Sequence, residues 1–119
     1  MTDTDAVLAW HAAVNAGDVA GVLSLSSDDV EVGGPRGSGR GADLLRDWFL
    51  RAGVRLEPTQ TFVEDHTVVV EQSAQWHAGE PQLVASVFRV RDGKIDSVIR
   101  FPDLASAFEA AGFEPSPER

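Results

Sequence analysis

The stretch from residue 83 to residue 101, LVASVFRVRDGKIDSVIRF, holds two runs rich in β-branched and aromatic residues on either side of Asp92-Gly93. Such runs are typical of β-strands, and an Asp-Gly pair favours the tight turn of a hairpin. We therefore predict strands over Leu83–Arg91 and Ile95–Phe101, joined directly by that turn.

Two further runs of the same kind precede this hairpin, over Val54–Val63 and Thr67–His77. In the second of them one set of alternate positions is largely apolar, which predicts that this face turns towards the core. The inward set is Val68, Val70, Gln72, Ala74 and Trp76. Together the four runs predict an antiparallel meander.

The remainder of the chain has mainly helical patterns. Apolar residues recur at helical spacing from Thr4 to Ala16, and Gly17-Asp18 separates this helix from a second, short one. A short strand over Asp28–Val32, a third helix that Gly53 ends and a last helix from Asp103 complete the chain. We predict one α+β domain over residues 1–113, in the order α-α-β-α-β-β-β-β-α, with a frayed tail over 114–119. The helices are expected to cover one face of the sheet.

The strand over Leu83–Arg91 is apolar on both faces. Val84, Phe88 and Val90 lie on one side, and Leu83, Ala85 and Val87 lie on the other. An apolar outer face invites a partner, so we predict a homodimer through it.

Composition excludes several classes of function. The net charge is −9, so neither nucleic acid nor an anionic membrane is expected as a partner. The chain has no cysteine, which excludes a zinc-thiolate site and a thiol nucleophile. His11, His66 and His77 lack the spacing of a metal site, so we expect no metal and no cofactor. No signal peptide or membrane-spanning run is evident, and we expect a cytoplasmic protein.

Two stretches resemble the nuclear transport factor 2-like (SnoaL-like) superfamily. WHAAVNAGDVAGVLSLSSDDVEV, residues 10–32, is similar to its opening helices and acidic strand, and FRVRDGKIDSVIRFPDL, residues 88–104, is similar to its last hairpin. The resemblance covers nearly the whole chain. It implies a cystatin-like fold in which a curved antiparallel sheet, packed against helices, encloses a cone-shaped pocket. It implies little about activity, because this fold hosts isomerases, hydrolases, cyclases and inert binding modules.

The motifs VNAGD, RDWF and EPTQ are most similar to those of ketosteroid isomerases. The Tyr, the base Asp and the protonated Asp of those enzymes correspond here to Trp10, Gly34 and Ser86, so all three functional groups are missing. The Arg and two Asp residues of limonene epoxide hydrolases correspond to Gln72, Ala74 and Arg100, and that triad is missing too. No carboxylate matches the acid/base of the polyketide cyclases, so the family mechanisms do not transfer.

The resemblance also implies that eight side chains approach one cavity. They are Trp10, Trp48, Gln72, Trp76, Ser86, Phe88, Val98 and Arg100. Tryptophans with a few polar groups are typical of a small-molecule site, although the same tryptophans would also fill an ordinary core. An inward guanidinium favours a ligand carboxylate or phosphate.

At Arg100 the residue pattern and the resemblance disagree. Strict alternation along Ile95–Phe101 predicts that Arg100 faces solvent, whereas the resemblance implies that it faces the pocket, and we adopt the second interpretation. An inward Arg100 would still be structural if it only neutralised Glu31 or Asp29.

Three functions remain open on the sequence alone. The first is a homodimeric pocket protein for a small, largely apolar, anionic molecule, with Arg100 as the anchor. The second is a SnoaL-like isomerase, cyclase or epoxide hydrolase that pairs Arg100 with Asp29 or His11, although a solvated His11 is the favoured interpretation. The third is a non-catalytic dimerisation or interaction module. The loop GPRGSGRG, residues 34–41, lacks the Lys and hydroxyl of a nucleotide-binding loop and is interpreted as a flexible pocket lid or a plain connector.

Overall fold

The computed structural model describes residues 2–34, 36–76 and 79–113. The elements are α1 (Asp3–Asn15), α2 (Val19–Ser24), β1 (Ser26–Gly34), β2 (Gly37–Arg40), α3 (Ala42–Ala52), β3 (Val54–Glu64), β4 (Thr67–Trp76), β5 (Gln82–Arg91), β6 (Lys94–Phe101) and α4 (Leu104–Ala111). The predicted α+β class and order are confirmed, with β2 as one additional strand. The predicted tail, residues 114–119, and His77 lie outside the described residues. No described helix is long and apolar enough to cross a membrane.

The strands form one curved, unclosed sheet in the order β2-β1-β6-β5-β4-β3. Strands β3 to β6 are the predicted antiparallel meander. Strand β1 pairs with β6 in parallel, so the expectation of an antiparallel sheet is wrong for this one pair of strands. The two strands are far apart in the chain, so no tight turn forces them to run in opposite directions.

A local capping box and one long-range contact fix the two ends of α1. The Thr2 hydroxyl accepts a hydrogen bond from the Asp5 backbone N–H, and the Asp5 carboxylate accepts one from the Thr2 backbone, which forms a capping box. At the other end, the Asn15 side chain donates to the carbonyl of Leu56 and accepts from its N–H, both at 2.7 Å. Because β3 is an edge strand, this amide replaces a missing neighbour strand and ties α1 to the sheet.

The two faces of the sheet carry separate apolar clusters. The inner face packs against the first three helices through Val7, Trp10, Val14, Val22, Leu45 and the inward side chains of the strands. On the outer face, α4 packs Ala107 and Phe108 against Val69, Ala85 and Val87. The expectation that all helices cover one face is therefore wrong for α4. Much of the outer apolar surface that motivated the dimer prediction is covered by the chain's own last helix.

A β-bulge in β6 resolves the disagreement over Arg100. Ser97 pairs with Arg89 and Ile95 pairs with Val90, so Asp96 is an extra residue in β6. An extra residue inverts the alternation beyond it. Ile95 and Val98 consequently both belong to the inner cluster, and Arg100 follows Val98 onto the inner face, as the resemblance implied.

The glycine-rich segment forms an edge hairpin and not a free loop. Residues Gly37–Arg40 pair with Glu31–Gly34 of β1. The two strands approach so closely that a Cβ on Gly33 would lie 2.5 Å from the Cβ of Ser38. The sequence missed β2 because a strand of glycine, serine and arginine has neither β-branched residues nor an apolar alternation.

Candidate functional site

A cavity of about 940 Å³ lies between the inner sheet face, α1, α3 and the β1–β2 hairpin. Seven of the eight predicted site residues line it together: Trp10, Trp48, Gln72, Trp76, Ser86, Val98 and Arg100. Leu44, Val54 and Leu56 add apolar wall, and the hairpin adds backbone through its glycines. The residues that the resemblance brought together thus contribute seven of the eighteen that line the cavity.

Phe88 is the predicted site residue that the structure places elsewhere. It is fully buried, and its ring lies 5.3 Å from that of Trp10 and 5.2 Å from that of His11, measured between centroids. It packs behind these two rings in the core and does not line the cavity. Its inward direction was predicted correctly, but alternation along a strand does not distinguish a cavity wall from a filled core.

Arg100 lies against an aromatic ring within the cavity. Its guanidinium carbon is 4.9 Å from the ring centroid of Trp76, a cation–π contact that favours this position of the head group. A Cβ on Gly34 would lie 3.7 Å from the Arg100 guanidinium, so β1 leaves the head group room. Among the described residues no acidic side chain pairs with this guanidinium, so its N–H groups are available to a ligand.

The alternative in which Arg100 only neutralises Glu31 or Asp29 is not what the structure shows. Glu31 lies 3.8 Å from the Arg40 guanidinium and accepts hydrogen bonds from Ser38 and Ser97, whereas Asp29 contacts Arg91 at 3.4 Å. Among the described residues, Arg100 forms no ion pair.

Arg36 and Arg51 also line the cavity, although neither was predicted to be a site residue. Arg51 lies on α3 three residues after Trp48, a spacing that places both on one helix face, so helical periodicity could have identified it. Arg36 lies between β1 and β2, where no sequence signal indicates orientation. No acidic side chain occurs among the described residues of the lining. We call Arg36, Arg51 and Arg100 the arginine rim.

A chain of hydrogen bonds links Ser86 and Gln72, which line the cavity, to His11 and Val7 in the core. Ser86 Oγ donates to Gln72 Oε1 at 2.9 Å, Gln72 Nε2 donates to His11 Nε2 at 2.8 Å, and His11 Nδ1 donates to the Val7 carbonyl at 2.8 Å. The Val7 carbonyl can only accept, so His11 carries a hydrogen on Nδ1. Its Nε2 accepts from the Gln72 amide and therefore carries none, so the ring is neutral in this arrangement. Burial lowers the pKa of His11, which agrees with the neutral form.

The interpretation of His11 as a solvated helical side chain is therefore wrong. It is 1% exposed and forms part of the core. The sequence could not show this, because its partner Gln72 is 61 residues away. With both ring nitrogens engaged, His11 does not face the cavity as an acid or base.

Trp10 leaves one polar group without a partner. The side chain is fully buried and lines the cavity, and its Nε1 has no hydrogen-bond acceptor among the residues that the structure describes. Buried indole N–H groups normally find an acceptor. We call Trp10, Gln72 and Ser86 the buried wall.

The described residues thus form a small α+β domain in which a curved sheet and helices surround an aromatic and cationic cavity. A model of the SnoaL-like domain matches residues 7–98, and the chain belongs to this family, which confirms the resemblance. No curated protein matches the chain.

Several solved structures are similar to the whole fold. An NTF2-like protein of unknown function from Cytophaga hutchinsonii has a TM-score of 0.80 at 18% identity, over 91% of this chain and 96% of that one. TerC, co-crystallized with polyporic acid, has a TM-score of 0.76 at 24% identity, over 91% and 95%. An LEH-like epoxide hydrolase of M. tuberculosis has a TM-score of 0.74 at 24% identity, over 90% and 86%. Likeness at these identities is a likeness of fold.

Proposed function

We propose that this protein binds a small, largely apolar molecule with one anionic group in the cavity, and that Arg100 anchors the anion. The observation that carries the proposal is the charge of the cavity. Three arginines and no acidic side chain occur among the described lining residues, although the chain as a whole has a net charge of −9. An overall surplus of carboxylates would readily supply partners to arginines that served only the fold.

Electrostatics favours an anion at this position. Arg100 is partly buried, so its interaction with an opposite charge is screened less than that of a surface arginine. Its planar fork matches a carboxylate in a bidentate geometry, and the cation–π contact with Trp76 favours this position of the fork before a ligand arrives. A preorganised head group loses less side-chain entropy on binding.

The size and walls of the cavity favour an apolar body. A volume of about 940 Å³ lies within the range of small-molecule pockets, about 300–1,000 Å³. Trp48, Val54, Leu56 and Val98 contribute apolar surface to it. TerC, a protein of similar fold, was crystallized with an organic acid, polyporic acid, which supports an acid as the ligand class here.

Catalysis by the pairs considered from the sequence is not part of the proposal. Neither Asp29 nor His11 lines the cavity: Asp29 is exposed and contacts Arg91, and His11 is engaged behind Gln72. The described lining therefore contains no carboxyl or imidazole group that could transfer a proton at neutral pH. It does contain what binding needs, namely a cation and apolar walls.

Calorimetry with a matched pair of compounds tests the proposal. Biphenyl-4-carboxylate, within a panel of aryl and alkyl carboxylates, is compared with the neutral biphenyl-4-carboxamide, which has the same shape. We expect the carboxylate to bind more tightly, and Arg100→Met to weaken its binding about 10- to 100-fold, because a hydrogen bond to a charged group contributes about 1.5–3 kcal/mol.

Arg46→Met is the matched control. Arg46 lies on α3, is exposed and does not line the cavity, so this variant changes the net charge by the same amount without touching the site. We expect it to bind the carboxylate like the wild type. If no acid in the panel binds, or if both variants weaken binding equally, the anchoring role of Arg100 is refuted.

A further inference from the structure

A second, more open depression lies next to the cavity. Its volume is about 430 Å³, and it is lined by Trp76, Gln82, Val84, Arg100, Phe101 and Pro102. Two of these residues, Trp76 and Arg100, also line the cavity. Arg36 and Arg51, the other members of the arginine rim, line the cavity alone. Among the described residues, the proposed anion anchor is therefore the one cation that both spaces share.

The strand register places the two spaces on one face of the sheet. Ser86 and Val84 are two residues apart on β5, so their side chains lie on the same face. Ser86 is the cross-strand partner of Arg100 and lines the cavity as part of the buried wall. Val84 belongs to the inner apolar cluster and lines the depression. The cavity and the depression are therefore neighbouring parts of the inner face.

The contact between Arg100 and Trp76 lies at the boundary between these two parts. Strand β5 runs between β4, which carries Trp76, and β6, which carries Arg100. The guanidinium carbon lies 4.9 Å from the Trp76 ring centroid, so the two side chains meet over the inner face of β5. Because both residues line both spaces, an anion bound by Arg100 has the cavity on one side and the depression on the other.

The walls of the depression suit an apolar group. Val84 is 7% exposed, and Trp76 is half-buried. Among the described lining residues, Arg100 is the only one with a charge and Gln82 the only other one with a polar side chain. The smaller volume, about 430 Å³ against about 940 Å³, limits the depression to a group smaller than the one that fills the cavity.

We propose that the depression is a second binding subsite and that the ligand is a branched acid, with two apolar substituents on the carbon next to its acid group. The acid group lies at Arg100, the larger substituent fills the cavity and the smaller one occupies the depression. The inference rests on the proposed function, because the anion at Arg100 fixes the position of the branch. It adds a site and narrows the ligand class.

Two acids that differ only in the branch test this inference. The probes are biphenyl-4-ylacetate and 2-(biphenyl-4-yl)-3-methylbutanoate, which carries an isopropyl group on the carbon next to the carboxylate. Its two enantiomers are measured separately by calorimetry. We expect one enantiomer to bind about 3- to 10-fold more tightly than biphenyl-4-ylacetate, because burial of the isopropyl group removes apolar surface from water. The other enantiomer directs this group away from the depression and should show no such gain.

A large side chain at position 82 fills the depression. Gln82 is exposed, begins β5 and lines the depression but not the cavity. We expect Gln82→Trp to abolish the gain that the branch gives. Gln60→Trp is the matched control, because it is the same substitution at an exposed position of β3 that lines neither space. We expect this control to keep the gain.

Nuclear magnetic resonance shows where the branch lies in the wild-type protein. Val84 lines the depression but not the cavity, so its methyl groups report on the depression alone. In a sample with ¹³C-labelled methyl groups, Val84→Ile assigns these signals. We expect a nuclear Overhauser effect between the Val84 methyl groups and the isopropyl group of the tighter enantiomer. If Gln82→Trp fails to fold, this measurement still decides.

The outcomes separate this inference from the proposed function. Equal affinity of the branched and unbranched acids overturns the second subsite and leaves the anion pocket standing. A gain that survives in Gln82→Trp, with no Overhauser effect at Val84, places the branch inside the cavity and also overturns the subsite. Failure of both acids and of the wider carboxylate panel to bind overturns the proposed function and this inference with it.

Discussion

The buried, neutral His11 predicts a loss of stability in mildly acidic solution. Burial lowers the pKa of His11 in the folded protein, whereas the unfolded chain titrates near the ordinary value of about 6.5. Between these two values the unfolded chain binds a proton that the folded protein does not. The free energy of unfolding therefore rises with pH in this window, and the stability that His11 contributes is lost as the pH falls below about 6.5.

The magnitude follows from the linkage of protons to folding. One proton bound by the unfolded chain alone changes the free energy of unfolding by about 1.4 kcal/mol per pH unit. Half of the unfolded chains are already protonated at about pH 6.5, so lowering the pH from 7.5 to 5.5 costs at most about 1.4 kcal/mol. The carboxylates of Asp5, Glu71 and Asp103 contribute little in this range, because their pKa values are lowered by hydrogen bonds and they titrate further down.

His66 acts in the opposite direction and must be removed from the comparison. Its ring nitrogen lies 2.8 Å from the Asp3 carboxylate, and this hydrogen bond raises the pKa of His66. Its contribution is present at low pH and is lost as the pH rises. The measurement is urea unfolding at pH 7.5, 6.5 and 5.5 in a His66→Gln background, with and without His11→Gln.

We expect the protein with His11 to lose stability as the pH falls and the His11→Gln variant to lose much less. His11→Phe serves as a second variant, because it too cannot titrate. Equal pH dependence with and without His11 would refute the reasoning that this side chain is held neutral by burial.

Two further predictions concern the hairpin and the outer sheet face. Gly33→Ala is expected to lower the free energy of unfolding by about 1–3 kcal/mol in urea unfolding, because its Cβ would lie 2.8 Å from the Gly37 carbonyl, whereas the neighbouring Gly34→Ala meets nothing closer than 3.7 Å and should have a small effect. Equal losses would contradict this account. The predicted homodimer is tested by sedimentation: Leu83 is 62% exposed on the outer face, so we expect a dimer that Leu83→Asp dissociates, with Val63→Asp as the exposed control. A monomeric wild type would remove the dimer.

Most of the fold could be predicted because its signals are local. The meander strands show β-branched and aromatic runs, Asp92-Gly93 forms the turn between β5 and β6, and Gly17-Asp18 divides α1 from α2. Each of these signals depends on a few adjacent residues and on their backbone preferences. The hairpin strand β2 was not predicted, because glycine has no preference for the β conformation.

The candidate site was less predictable from residue pattern alone. Alternation identified Gln72 and Trp76 as inward, and helical spacing was able to identify Arg51 beside Trp48. Alternation failed at Arg100, because the bulge at Asp96 is defined by pairing with another strand. Only the resemblance to a known fold placed this side chain correctly.

The sequence by itself determined the α+β class, the order of the predicted elements and the face on which most strand residues lie, since these depend on periodicity and turn chemistry within short segments. The tertiary structure decided which groups meet. It brought His11 within hydrogen-bonding distance of Gln72, which is 61 residues away, and placed the Arg100 guanidinium over the Trp76 ring. It also packed Phe88 against Trp10 in the core and left the Trp10 N–H without a partner among the described residues. The physical reason is that hydrogen bonds, ion pairs and cavities depend on the distances between segments remote in the chain, and no local preference encodes those distances.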